Sequence, residues 1–208
     1  MGVHESAIVV KGERLLSHVS EILGVFGYSD LKKDRTVRNA EELERLMDAW
    51  DLGEKRSLKA VTASAGWVLI YDPEFALSSN AQACAAVSKR FDTQVFVMRA
   101  DSAADTYAFS LYDNGARIRD FLASSGKLER NDGKPLSNEI GLNLKGLQGL
   151  DEKLTTVMLG LTGVDLYTVL EDNAFTVKEL VRGEAPLNAA GAEQPASPEK
   201  KPGWKFWK

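Results

Sequence analysis

The sequence predicts a single α+β domain over residues 1–182, with an antiparallel or mixed central sheet flanked by helices. Three observations predict this fold class. Helical and strand-like periodicities alternate along the chain, two predicted strands are apolar on both faces, and Asn114-Gly115 is a strong hairpin signal. The chain has 208 residues and 44% hydrophobic content, which is enough for one core of typical size plus additional segments.

The first elements are a strand and two helices. A short apolar run at residues 7–10 predicts a strand, and the apolar residues between 15 and 26 have the spacing of one helix face. Asn39, with Glu42 three residues later, has the pattern of a capping box and predicts the start of a second helix. Trp50 continues the apolar stripe of that helix, and we expect it to cap the core.

A hairpin and a third helix are predicted next. Residues 58–63 and 67–72 read as two strands, and because the second is apolar on both faces, we expect it to be central in the sheet. Ser79 with Gln82 predicts the start of a helix lined by small residues, on which Cys84 is expected to pack in the core. As the only cysteine, Cys84 excludes an intrachain disulfide.

The following segment is predicted to be rich in strands. Residues 94–98 are apolar on both faces, and residues 107–111 alternate between apolar and polar. Asn114-Gly115 tolerates positive φ at both turn positions, so residues 116–122 are expected to return as a paired strand. Residues 131–134, with the sequence Asn-Asp-Gly-Lys, predict a second tight turn.

The end of the domain is predicted to be helical. Residues 151–161 predict a helix that Gly163 ends, and residues 164–171 are ambiguous between helix and strand. Thr176, with Glu179 three residues later, predicts the start of a last short helix.

Beyond residue 182 the composition changes. Residues 183–199 are dominated by Ala, Pro, Gly and Glu and are predicted to be a disordered linker. Residues 200–208 form a basic aromatic tail that contains half of the four tryptophans of the chain. We predict that the tail binds a partner through Trp204, Lys205, Phe206, Trp207 and Lys208. The partner is a protein or, through weak contact, an anionic membrane surface; the alternative is that the tail folds back onto its own domain.

The charge distribution argues against a nucleic-acid partner. The net charge is −4, and residues 1–199 carry −8 because four of the lysines lie beyond residue 199. Nucleic-acid binding requires clustered basic residues, whereas the basic residues here are dispersed among acids. Charged residues near the start and the absence of a long apolar run predict a soluble and cytoplasmic protein.

Few residues in the sequence indicate chemistry. His4 and His18 are the only histidines, so a three-ligand zinc site of His and Cys cannot be assembled, and neither a metal nor a cofactor is expected. Phosphate-binding glycine loops and the G-x-S-x-G nucleophile motif do not occur in the sequence. The acids that a small hydrolase could use lie near predicted strand ends; they are Asp72, Asp101, Asp105 and Asp113.

A resemblance covers residues 58–122. Its elements are Gly66-Trp67, Tyr71-Asp72, a small-residue helix with Ser88-Lys89, an apolar strand, the alternating residues 105–109, and Asn114-Gly115. This order resembles a family of uncharacterised bacterial α+β proteins. The resemblance implies a fold and no activity.

The sequence therefore favours a non-catalytic, protein-binding or accessory protein of the immunity type, which acts through its acidic face and its tail. Two alternatives stay open. One is a small hydrolase that uses the clustered acids, and the other is a peripheral membrane adaptor that uses the tail.

Overall fold

The computed structural model describes residues 4–48, 56–144, 146 and 148–183 of the protein. In this part of the chain, ten strands form one sheet and five α-helices accompany it. Every strand pair is antiparallel. The architecture is therefore of the α+β kind, with an antiparallel sheet.

The strands and helices have the following bounds. The strands are β1 (His4–Lys11), β2 (Tyr28–Asp30), β3 (Arg35–Val37), β4 (Arg56–Ser64), β5 (Trp67–Tyr71), β6 (Gln94–Asp101), β7 (Thr106–Asp113), β8 (Ala116–Ser124), β9 (Lys127–Gly133) and β10 (Phe175–Arg182). The helices are α1 (Val19–Val25), α2 (Ala40–Asp48), α3 (Ala81–Arg90), α4 (Leu150–Thr162) and α5 (Leu166–Asp172), with short 3-10 helices at Glu13–His18 and Ser137–Glu139. The order across the sheet is β2-β10-β4-β5-β1-β6-β7-β8-β9, and β3 also pairs with β10.

Each face of the sheet carries its own apolar core. On β1, Ala7 and Val9 belong to the core beneath α2, α4 and α5, whereas Ile8 and Val10 belong to the core beneath α1 and α3. This division follows from the alternation of side chains along a strand. Cys84 is fully buried in the second core, which confirms the predicted packing role.

Several local predictions are confirmed. β5 is an interior strand between β4 and β1, as its two apolar faces predict. Asn114 and Gly115 have φ values of 45° and 83° and connect β7 to β8. Asn39 accepts a hydrogen bond at 3.0 Å from the backbone N–H of Glu42, at the start of α2. Trp50 lies outside the described residues.

The helix predicted from Thr176 and Glu179 is wrong, because this segment is strand β10. Glu179 is buried and accepts a hydrogen bond from Arg56 at 3.0 Å, and Lys178 donates to Asp30 at 2.8 Å. These charged residues resemble a helix surface in the sequence. Partners from distant strands allow them to lie inside a sheet.

The tight turn predicted at residues 131–134 is also wrong, because residues 131–133 belong to β9. The turn before β9 is Ser125-Gly126, with φ values of 51° and 69°. All seven residues of β9 are exposed, so the strand has no apolar periodicity that could reveal it.

The starts of two helices, α3 and α5, are set by capping side chains. Helix α3 starts one residue later than predicted, since Asn80 rather than Ser79 caps it by accepting from the N–H of Ala83 at 3.0 Å. The ambiguous segment 164–171 contains all but the last residue of α5, which Asp165 caps.

Candidate functional site

The five residues predicted to bind a partner, 204–208, lie outside the described residues, as does most of the predicted linker. The described part of the chain therefore provides other candidate sites, which are formed by acids and by pockets.

Asp72 is a fully buried structural group. Its Oδ2 accepts hydrogen bonds at 2.9 Å from the backbone N–H groups of Leu77 and Ser78. Its Oδ1 lies 2.8 Å from Nζ of the equally buried Lys59, which also contacts Glu74 at 3.0 Å. Each group thus has a partner that offsets the cost of its burial.

The other three acids considered for hydrolysis do not converge. Asp101 and Asp105 flank the β6–β7 turn, where Asp101 accepts from the N–H groups of Ala103 and Ala104 at 3.1 Å. Asp113 lies at the opposite end of that hairpin, beside Gln94. Strands of this length separate the two ends by about 20 Å or more. The structure does not bring these acids into one catalytic arrangement.

A pocket of about 160 Å³ lies where α2 and α5 meet the sheet on its first face. The residues that line it come from β1, β5, α2 and α5; they are Glu5, Leu43, Glu44, Tyr71, Tyr167, Leu170 and Glu171. We refer to it as the acidic pocket, because three of these seven residues are glutamates and none is basic.

The Glu5 carboxyl is the most buried acid of this pocket. Burial raises its pKa above the ordinary value, and a hydrogen bond with Tyr71 opposes this shift. Among the residues that the structure describes, Oε2 of Glu5 has no hydrogen-bond partner and is closed to solvent. The negative charge of Glu44 raises the pKa further. The electrostatic interaction with His4 lowers the pKa, so the compensation that Glu5 receives comes from Tyr71 and His4.

The absence of a lysine or arginine ion pair distinguishes Glu5 from the buried carboxylates of the described chain. Asp120, for example, lies 2.9 Å from Arg130 and 3.1 Å from Arg117. Within the described ranges, no lysine or arginine forms an ion pair with Glu5, Glu44 or Glu171. Negative charge in the pocket is thus available to a cation from outside.

The walls of the acidic pocket are apolar and aromatic. Leu43 is almost fully buried, and Tyr167 is 40% exposed. Burial and the neighbouring Glu5 raise the pKa of Tyr71 far above its usual range, so its hydroxyl stays neutral and able to donate. Tyrosine rings and carboxylates together suit an organic cation.

A second pocket, of about 230 Å³, contains Arg119, which is buried and fully paired. Its Nε and Nη2 donate to Glu139 at 2.8 and 2.7 Å, and Nη2 also donates to Asn131. Its Nη1 donates to the backbone carbonyls of Asp120 and Asp132. All five guanidinium N–H groups are therefore used, and Arg119 connects β8, β9 and the 137–139 helix instead of binding a ligand.

The two histidines are not part of a ligand cluster. His18 contacts Glu21 at 2.9 Å on an exposed surface, and His4 lies 3.5 Å from Asp101. In the described part of the chain, no group of three or more His, Cys, Asp and Glu residues is arranged to hold a metal ion.

Comparisons with protein-family models, with curated proteins and with solved structures give no match for this chain. Within the described ranges, no single helix is both long and apolar enough to cross a membrane, although α4 and α5 together, bent by 82°, pass that test.

The sequence did not reveal the acidic pocket. Glu5, Tyr71 and Glu171 are separated widely along the chain, and each belongs to a different element. The one local signal was Glu5 itself, which lies on β1 two residues before the apolar run at residues 7–10.

Proposed function

We propose that this protein is a non-catalytic binding protein of the accessory or immunity type, which acts in the cytoplasm by docking on another protein. The observation that carries the proposal is the acidic pocket, which three glutamates line without a lysine or arginine partner in the described chain. A basic side chain of the partner would complete it.

Charge and exposure support a protein partner. The body of the chain is acidic, so it attracts a basic surface at long range. Tyr167, exposed on the wall of the pocket, is of the residue type that frequently anchors protein interfaces. The basic aromatic tail, which contains Trp204 and Trp207, is proposed as a second anchor.

The test compares two double variants of the full chain, in each of which glutamine replaces two glutamates. The pocket variant is Glu44→Gln with Glu171→Gln, and the control is Glu129→Gln with Glu152→Gln. All four side chains are exposed, so each variant loses the same charge at little cost in stability. The wild type and both variants are used as bait. The affinity of each for the partner recovered by the wild type is then measured by calorimetric titration.

We expect the pocket variant to lose about tenfold or more in affinity, since charge-assisted hydrogen bonds contribute about 1.5–3 kcal/mol each. The control variant should bind as the wild type does. Equal affinity of the two variants would refute the role of the pocket.

The tail is tested separately with Trp204→Ala combined with Trp207→Ala. Loss of about tenfold or more in partner affinity at an unchanged melting temperature supports the second anchor. Loss of sedimentation with anionic vesicles alone would indicate a membrane adaptor instead. A lower melting temperature would show that the tail stabilises its own domain.

A further inference from the structure

We propose that the second face of the sheet, which carries α1 and α3, has an anion site at β8 and β9 that binds a phosphate group. Three arginines from three strands form this site, and we refer to Arg99, Arg117 and Arg130 as the arginine cluster. The acidic pocket lies on the first face, so this site is independent of the proposed function.

The strand register places the arginine cluster around Asp120. One row of directly opposed residues crosses four strands and consists of Arg99, Ala108, Leu122 and Arg130. Asp120 lies in the next row along β8, and Arg117 lies in the row beyond it. Opposed residues point to the same side of a sheet, so the three arginines share the face of Asp120. Val97, in the row of Asp120, belongs to the core under α1 and α3, which identifies this face as the second.

The buried carboxylate of Asp120 orients two of the arginines. Its Oδ1 accepts a hydrogen bond from Ser110 at 2.7 Å. Its Oδ2 lies 3.1 Å from Nη1 of Arg117 and 2.9 Å from Nε of Arg130. Because both guanidinium groups contact one oxygen atom, they lie side by side and are held in position before a ligand binds. Such preorganisation lowers the entropic cost of binding.

The arginine cluster carries more positive charge than its acidic neighbours compensate. Asp120 supplies one negative charge, and Asp132, opposite it on β9, supplies a second. Within the described ranges, Asp132 forms no ion pair with the cluster. Burial, together with the neighbouring charge of Arg130, lowers the pKa of Arg99, so two cations of the cluster repel each other. A bound anion would compensate this surplus charge.

Two of the guanidinium groups are accessible and have donors to spare. The side chains of Arg117 and Arg130 are 41% and 44% exposed. In the part of the chain that the structure describes, each forms its ion pair with Asp120 and with no other side chain. A guanidinium group has five N–H donors, so both arginines retain donors for a ligand.

This arrangement suits a phosphate group better than a carboxylate. A carboxylate has two coplanar oxygens, which match the edge of a single guanidinium group. A phosphate group has three acceptor oxygens and a charge of about −1.5 to −2 at pH 7. One phosphate can therefore accept from Arg117 and Arg130 together, while Arg99 adds attraction at longer range.

The experiment titrates the full chain with inorganic phosphate, with phenyl phosphate and with acetate. Calorimetry measures the affinities, and NMR follows the Nε–H resonances of Arg117 and Arg130. We expect inorganic phosphate to shift both resonances and to bind at least about tenfold more tightly than acetate. Phenyl phosphate separates two sources of the same chemistry: its binding would identify a phosphate monoester as the ligand, and its exclusion would identify the free anion.

Two variants test the assigned residues. Arg117→Gln with Arg130→Gln should weaken phosphate binding about tenfold or more, because charge-assisted hydrogen bonds are lost. Arg117→Lys with Arg130→Lys keeps both charges beside Asp120. It should retain the fold and weaken binding about threefold or more, because an ammonium group cannot form the bidentate fork. The control, Arg14→Gln with Arg38→Gln, removes two exposed charges from other parts of the chain and should leave the affinity unchanged.

Three results would overturn the inference. Acetate that binds as tightly as phosphate would exclude a phosphate site. A folded glutamine variant that binds phosphate as the control does would exclude the arginine cluster. If the glutamine variant does not fold, the lysine variant decides, and wild-type phosphate affinity in that variant would also exclude the cluster. The partner affinity measured for the acidic pocket is separate from all three results.

Discussion

Replacing Arg119 by methionine removes a buried charge and leaves its partner alone. Arg119 is 2% exposed and donates to both carboxylate oxygens of Glu139, which is itself buried. Methionine keeps much of the length and apolar contact of the arginine stem. The variant therefore isolates the loss of the guanidinium group.

The expected loss of stability is large. Removing one partner of a buried ion pair costs about 3–5 kcal/mol, because the remaining charge stays buried without compensation. Arg119 also donates to Asn131 at 2.6 Å and to the Asp132 carbonyl at 2.8 Å, so β9 loses its attachment as well. For a chain of this size, each kcal/mol lowers the melting temperature by about 2–4 °C. The predicted decrease is thus about 6–20 °C.

Thermal unfolding followed by circular dichroism measures this effect. The control is Arg45→Met, which breaks an exposed pair with Glu41 and should cost less than about 1 kcal/mol. Adding Glu139→Leu to Arg119→Met should recover part of the loss, since no unpaired charge remains. Recovery will be incomplete because Glu139 also accepts from the Leu136 N–H at 2.9 Å. If Arg119→Met destabilised the protein no more than Arg45→Met, the assigned role of Arg119 would be incorrect.

Three further outcomes are expected. Burial raises the pKa of Glu5 in the folded protein above 4.5. The protonated side chain therefore contributes fully to the free energy of unfolding below that pH, and this contribution is lost as the pH rises through the higher pKa. Glu5→Gln should therefore melt higher than the wild type at pH 7 and equally at about pH 4; a lower melting temperature at pH 7 would contradict this. In denaturant titrations, Gly133→Ala should destabilise the protein far more than Gly141→Ala. Both glycines have positive φ, so the backbone strain is similar. A Cβ at Gly133, however, would lie 2.1 Å from the Ile118 carbonyl oxygen, whereas a Cβ at Gly141 meets nothing within 4 Å. Equal losses would exclude the steric clash. Limited proteolysis should cut between residues 183 and 201 and leave a stable fragment; cleavage within β10 would oppose the predicted boundary at residue 182.

Predictions from local sequence succeeded where local physics determines the structure. The Asn114-Gly115 turn and the Asn39 cap depend on the backbone preferences and hydrogen bonds of a few neighbouring residues. Strand β5 is apolar on both faces because helices cover both sides of the sheet, so its composition alone indicates its interior position.

Predictions failed where distant partners decide the conformation. Lys178 and Glu179 fit a helix in sequence, yet their ion pairs with Asp30 and Arg56 place them in β10. The acidic pocket is a stronger case, because its glutamates come to line one pocket only after β1, α2 and α5 have packed together. No spacing rule along the chain links Glu5 to Glu171.

The position of β10 has a consequence for how the protein is made. Within the described chain, β2 and β3 hydrogen-bond to β10 alone, and β10 also covers the outer edge of β4. Ribosomes deliver β2, β3 and β4 early, whereas β10 emerges only after more than a hundred further residues. During that interval the edge of β4 is open to pairing with other nascent chains. Slow translation or early termination before residue 175 would thus leave a polypeptide prone to aggregation. Once β10 is complete, it pairs with β4 and covers this edge.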